Sequence, residues 1–439
     1  MPVSRGRKGK PKSKSKAKKN NRAPGRPSVA DVMPAGLVFG GRPSPFQRLL
    51  DGTEPDRPGW FDRSIEAVLG QAGVLMTARG PRELEQATAE LLGAELYRAV
   101  REEDSGLSFE WLAEELAEAA ADRILGETAR EHGSEQAQWR LLYGLTSIGS
   151  PVLRLLIEDA LIQLRKELPA SAQAEQPEWL RLLPKIAATG EVWEMHDVYG
   201  SHFAVIAGFC YPGDTDPSVF LFDIDACEMV KLASAGVFDD VQQAAAAWRE
   251  RAGEPAAGVE PSPVETADRL SCLAYLELGG EVVVGTEPRT VMDNWLRANR
   301  RHMDLAETLR RRGRPLPETK SLYHDLDIAA MAEEFAAWHL RRHGSTPHPE
   351  VAELLAEVWL EGALPSTRHS ISPHRARSRL GQINEDFIDD PVTTAAKALL
   401  PEWVRWNGEE SGLPDVLIDR SVAAASGEPQ PAAGGSAGN

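Results

Sequence analysis

Apolar and polar residues follow a strand-like pattern over one long stretch of this 439-residue chain, 191–236, with helix-like three- and four-residue steps on either side. Residues 191–197 alternate, with Val192, Trp193 and Met195 as the bulky members. Tyr199-Gly200 is turn chemistry, and 202–211 then runs apolar, rich in aromatic and β-branched residues. Pro212, Gly213, Asp214 and Pro217 mark a loop before a third strand at 219–225 and a fourth at 229–235. Strands joined by so few residues pair antiparallel, because a parallel crossover needs a dozen residues or more. The pattern predicts a meander of three or four strands. Asp239 and Asp240 then open a helix through Trp248, placing carboxylates at its first turn.

Residues 59–188 carry helical periodicity. Gly80-Pro81 is a helix start with proline at the first helical position. Leu84, Thr88, Leu91, Leu92, Leu96 and Val100 form one stripe. Ser108 is placed to cap the next helix, whose Leu112, Leu116, Ala120 and Ile124 face inward and whose Glu110, Glu114, Glu115 and Glu118 face water. The helical pattern of 136–168 breaks at Gly149-Ser150-Pro151. After the sheet, 253–263 reads as a linker, 267–278 as a helix, 281–285 as a short strand able to extend the sheet, and 288–314 as a long arginine-rich helix. A second helical region covers 325–425. The expected fold class is α+β, mainly helical: two helical regions flanking a small antiparallel β-meander. The expected divisions are a basic arm and Pro/Gly-rich linker (1–58), a helical bundle (59–188), the sheet with its helices (189–320), a C-terminal helical region (321–425) and a tail (426–439), with both ends disordered.

Charge changes this picture more than composition does. The chain is 42% hydrophobic and 26% charged, which suits a soluble protein with a core. Its net charge is −17, from 49 basic and 66 acidic residues. Residues 1–27 hold 11 Lys and Arg and no acid, so the rest carries 49 − 11 = 38 basic against 66 acidic residues, a net of −28. Within the arm, Lys8, Lys10, Lys12, Lys14, Lys16, Lys18 and Lys19 are spaced to neutralise phosphates, giving salt-sensitive binding that does not read base sequence. The arm has no aromatic residue on which a base could stack. It equally suits a solubilising tail or a segment lying across the protein's own acidic body.

The candidate chemistry lies on the third strand. Asp223 and Asp225 are two residues apart, so both carboxylates point to one face and Phe220, Phe222 and Ile224 to the other. Paired carboxylates on one face are able to hold magnesium, which prefers oxygen ligands. His196, Asp197, Asp214 and Asp216 fall on nearby strand ends and loops. The segment 220–225 resembles the first motif of the haloacid-dehalogenase phosphatase superfamily, an apolar strand ending in Asp-x-Asp. The resemblance covers about six residues and implies a parallel doubly wound domain with Asp223 as nucleophile and Asp225 as general acid/base. Ala226-Cys227 departs from the usual Gly-Thr or Gly-Val, and the two preceding strands depart from that topology.

Elsewhere, His339 and His343 stand one helical turn apart, a metal-ligand spacing, but Leu340 occupies the position where a metalloprotease carries Glu. Beside Gly344 they suit a helix C-terminus, so no metal site is expected there. Arg297, Arg300, Arg301, Arg310, Arg311, Arg312 and Arg314 suit either phosphate contact or pairing with the acidic body, the second being favoured. Arg368, His369, His374, Arg375, Arg377 and Arg379 form another basic cluster. Three scattered cysteines (Cys210, Cys227, Cys272), with no CxxC pair, argue against a disulfide framework and against a structural zinc site and for a reducing cytoplasm, and Cys210 and Cys227 read as buried small hydrophobes. The chain therefore reads as a non-catalytic interaction protein, without cofactor or membrane span, whose basic arm contacts nucleic acid or a ribonucleoprotein. The alternative is a magnesium-dependent phosphoester hydrolase built on Asp223 and Asp225.

Overall fold

The computed structural model describes residues 59–102, 109–126, 134–167, 176–227, 230–273, 276, 289–317, 326–386 and 391–428. The basic arm with its seven lysines, the linker at 28–58, the Ser108 cap, the strand expected at 281–285 and the end of the tail lie outside these residues. The fold is α+β and mainly helical, with one small antiparallel sheet.

Among the described residues five α-helices come first: α1 (Gly59–Gln71), α2 (Pro81–Glu102), α3 (Phe109–Leu125), α4 (Ser134–Ile148) and α5 (Pro151–Glu167). The break between α4 and α5 falls at the Gly149-Ser150-Pro151 signal, where Ser150 Oγ accepts the Leu153 amide at 3.1 Å and caps α5. Leu112, Leu116, Ala120 and Ile124 of α3 are buried as their spacing requires. The acidic face opposite them is not uniformly solvated, because burial raises the pKa of Glu110.

The sheet is a meander of β1 (Ala187–His196), β2 (His202–Cys210), β3 (Ser218–Asp225) and β4 (Lys231–Phe238), with β5 (Ser262–Pro263) added outside β1. Every described pairing is antiparallel. That replaces the parallel doubly wound sheet implied by the Asp-x-Asp resemblance. β5 lies in the stretch that reads as a linker, and of the helix expected at 267–278 the described part is a 3₁₀ segment, Ala267–Leu273, with Leu276 α-helical beyond it. A bulge between Ala188 and Val192 bends β1, and Gly190 at φ 79° occupies it, a conformation open to glycine.

Both faces of the sheet are covered. Phe203, Val205, Ala207, Phe220, Phe222 and Ile224 join the core of the first helices. Ala204, Ile206, Val219 and Leu221 pack beneath α6 (Val241–Ala252) around Trp248. Burial on both sides explains why β2 and β3 read as continuous apolar runs. Asp240 caps α6, accepting the Gln243 amide at 2.9 Å.

Helix α7 (Arg289–Arg311) crosses α2 and packs on β1 and β4. Gly93 permits the α2–α7 approach, since a Cβ there would overlap the Asp293 backbone. Gly93→Ala is expected to cost about 3 kcal/mol, the upper range for overpacking, because backbone cannot yield as a flexible side chain does. Gly70→Ala, in open space on α1, is expected instead to add about 0.5–1 kcal/mol. Urea unfolding of both variants checks the contrast; equal effects would show that the helix crossing is not tight.

The C-terminal helices α8 (Ile328–His343), α9 (Pro349–Leu360), α10 (Pro373–Asp386), α11 (Pro391–Glu410) and α12 (Asp415–Ala425) enclose a separate core. Its centre is aromatic, with Phe335 and Trp403 ring centroids 4.8 Å apart and Trp403 and Trp406 at 5.1 Å. Tyr199, from the β1–β2 turn, inserts into this core and joins it to the sheet. No described helix is long and apolar enough to cross a membrane.

Candidate functional site

Asp223 and Asp225 share a sheet face, as their spacing predicts, but meet different surroundings. Asp223 is fully buried beneath α6. His202, diagonally across on β2, places Nε2 2.5 Å from its Oδ1, and Arg251 of α6 places Nε 2.8 Å from its Oδ2. The His202 ring packs edge-on against Trp248, with centroids 5.7 Å apart. Burial lowers the His202 pKa, but Asp223, with help from Asp225 and Asp197, outweighs it and raises the net value. The two carboxylate oxygens of Asp223 are therefore held between an imidazole and a guanidinium.

The other acids near the sheet also have structural partners. Asp197 Oδ1 accepts the amides of Ser201 at 2.9 Å and His202 at 3.2 Å, closing the β1–β2 turn. Asp214 accepts from the Tyr211 amide at 3.0 Å and pairs with Arg82 at 2.8 Å, closing the β2–β3 loop. His196 lies 3.5 Å from buried Glu194, which Arg269 holds at 2.8 Å.

Asp225 ends β3. Its Oδ1 accepts the Cys227 amide at 2.8 Å, folding the chain back on the carboxylate. The first turn of α10 meets this end of the strand, where Cys227 Sγ lies 3.4 Å from Ser372 Oγ and the exposed His374 stands close by. Ser372 caps α10, accepting the Arg375 amide at 3.0 Å. Burial, reinforced by Asp225, pushes the Cys227 thiol up to about 12. The free thiol is thus protonated at neutral pH.

A second polar centre lines a cavity of about 450 Å³ between α2, α7 and the sheet. Glu85 lies 2.5 Å from Arg301 and 3.5 Å from Arg297, and the Tyr211 hydroxyl donates to it. Burial pushes the Glu85 carboxyl up, but the two guanidinium groups and the hydroxyl overcome that and hold it below the ordinary carboxylate value. Burial also opposes charge on both arginines. The closer Glu85 contact leaves Arg301 raised and the longer one leaves Arg297 lowered. Tyr211 is held protonated by burial and by the adjacent carboxylate. The centre is a neutralising network with no displaced nucleophile or poised base.

The basic clusters resolve in the same way. Arg297, Arg300 and Arg301 turn inward, Arg300 pairing with Asp304 at 3.0 Å, while Arg310 and Arg311 both pair with Glu307. Arg375 is wholly buried, stacks 4.7 Å over Trp359 and donates to Thr367 O, Ser370 Oγ and Trp359 O. His339 Nδ1 lies 2.7 Å from Ser345 O and His343 Nε2 lies 3.0 Å from Glu402, a helix-end arrangement with Gly344 as the left-handed cap. Comparison with protein-family models, with curated proteins and with solved structures finds no match for this chain.

The partners are what sequence reading missed. The alternation of β3 put Asp223 and Asp225 on one face, yet nothing local marks Arg251 or His202 as their company. Glu85 and Tyr211 are 126 residues apart and carry no motif. Cys227 reads as a small buried hydrophobe and His374 as one of several basic residues, and only the fold brings them together.

Proposed function

We propose that the protein is a non-catalytic interaction protein, an acidic folded body whose basic N-terminal arm contacts nucleic acid or a ribonucleoprotein. The observation that carries this reading is the charge separation: 11 cations and no acid in residues 1–27, against 38 basic and 66 acidic residues in the remainder. The body adds support, because the arginines of α7 are turned inward or paired with Glu85, Asp304 and Glu307. The arm is then the natural place for phosphate contact, and the acidic body is left to engage a protein partner. Three free cysteines fit a reducing compartment, and we place the protein in the cytoplasm.

The catalytic alternative draws less support. A metal-dependent phosphoester hydrolase on Asp223 and Asp225 needs both carboxylates open to one magnesium ion. Asp223 is fully buried, with both oxygens engaged by His202 and Arg251.

A salt titration of RNA and duplex DNA binding tests the proposal, with the full chain beside a chain lacking residues 1–27. The full chain is expected to bind with a log–log slope as steep as about −8 on single strands and about −10 on duplex if all 11 cations engage phosphates. The shortened chain is expected to lose binding. Equal binding by both chains would place the contact on the body and sink the tether, and no binding by either would remove nucleic acid from the reading.

A further inference from the structure

We propose that Asp225, Cys227 and His374 form a binding site for a borderline-soft divalent transition metal of the zinc class. Each offers one ligand atom, and a carboxylate oxygen of Asp225, Sγ of Cys227 and an imidazole nitrogen of His374 all lie within 4.8 Å of one another. The convergence is a product of the fold. The Cys227 amide bonds back to Asp225 at 2.8 Å, holding two of the ligands together at the end of β3. Ser372, 145 residues after Cys227, contacts its sulfur at 3.4 Å and starts the helix that carries His374.

The donor set selects the ion. Magnesium and calcium take oxygen ligands and want six or more of them. One sulfur, one imidazole nitrogen and one carboxylate oxygen suit zinc or cobalt, and three protein ligands with an open fourth position match sites that keep a water. Bonds of about 2.0–2.3 Å to a tetrahedral ion put ligand atoms about 3.5 Å apart. Closing from the present separations falls to His374, which is exposed on the first turn of α10 and has the room to turn. The buried Arg375 is held by Thr367 O, Ser370 Oγ and Trp359 O rather than by a hydrogen bond to the ligands, although its charge acts on Asp225 and Cys227, so the ion has to bind beside that cation. On binding, the Cys227 S–H bond breaks, its proton goes to solvent and a metal–sulfur bond forms. The Ser372 hydroxyl then stands where it is able to donate to the thiolate. Such a site fastens the end of the sheet to the C-terminal helices, next to the place where Tyr199 already joins them.

Cobalt(II) titration of the full-length protein under reducing conditions tests this. Thiolate-to-cobalt charge transfer in the near ultraviolet and the visible bands of four-coordinate cobalt are the readouts. One equivalent is expected to bind; zinc displaces it, and excess magnesium does not. His374→Ala, at an exposed position that leaves the fold intact, is expected to weaken binding at least about 100-fold, the top of the range that loss of a supporting residue already reaches. Cys227→Ser is expected to abolish the charge-transfer band, and His343→Ala to change nothing. Absence of the band through millimolar cobalt overturns the proposal. So does a band that persists in Cys227→Ser, or affinity unchanged in His374→Ala with circular dichroism showing that variant folded.

Discussion

Glu85→Ala is expected to destabilise the protein by about 3–5 kcal/mol, among the largest losses available to a single side chain in this fold. Arg297 and Arg301 lie within the core beside Glu85, all but excluded from water, and their guanidinium groups also face the rings of Phe220 and Phe209. Removing the carboxylate strands Arg297, leaves Arg301 with only its longer Asp304 contact at 3.5 Å and takes the acceptor from the Tyr211 hydroxyl, and the cost of an uncompensated buried charge exceeds that of a lost hydrogen bond. Replacing all three together, with Glu85→Leu, Arg297→Met and Arg301→Met, is expected to recover most of the loss, because the desolvation that the network overcomes disappears with it. Urea unfolding followed by tryptophan fluorescence separates the two cases. A Glu85→Ala protein within about 1 kcal/mol of wild type would mean that water reaches the arginines through the adjoining cavity. Acid adds a second check. The folded-state pKa of Glu85 is depressed, so its contribution is present above the ordinary 4.5 and is lost as pH falls through the folded value. Glu85→Ala therefore removes part of the wild-type loss of stability in acid.

The same network shows where sequence reading stops. The helices around it were legible, because Leu84, Leu91, Leu92 and Leu96 repeat at helical steps and Gly80-Pro81 marks the start. The meander was legible because Tyr199-Gly200 and the Pro212–Pro217 loop leave no room for a crossover. β5 was not, since two residues at Ser262–Pro263 are too short to carry any period and pair with β1 only through tertiary placement. Asp223 illustrates the limit for sites. Its face follows from the period of two, but its role follows from a histidine on another strand and an arginine on a later helix. An acidic strand residue that faces water and a buried one that pairs with a histidine and an arginine look alike in sequence. Glu110 makes the same point from α3, where helical phase assigned it to water and the fold leaves it half-buried, with Oε1 enclosed.

The second large effect concerns Asp223 and runs with pH. Asp223→Asn is expected to cost about 2–3 kcal/mol, below the full figure for breaking a buried pair because Arg251 and His202 keep some access to water. His202 faces Asp223, Arg251, Trp248, Asp225 and Asp197, and its folded-state pKa lies above the ordinary 6.5. Between those two values the native state binds the extra proton, so stability is complete below 6.5 and falls as pH rises through the folded value. His302 acts in the opposite sense on the acid side. Burial depresses it to about 4, so its neutral form makes stability rise between about 4 and 6.5. His369, which burial also lowers, adds to the acid limb, and with His202 on the alkaline side the histidines place a stability maximum near pH 6.5. His202→Gln is expected to flatten the alkaline limb and leave the acid limb unchanged, whereas His302→Gln leaves the alkaline limb unchanged and reduces the acid slope to the part that His369 carries. Asp223→Asn is expected to flatten the alkaline limb as well, because the carboxylate that raises His202 is gone. Unfolding free energies measured from about pH 4 to pH 9 resolve these slopes. An alkaline limb that keeps its wild-type slope in both His202→Gln and Asp223→Asn would show that the buried group on the sheet is not what titrates.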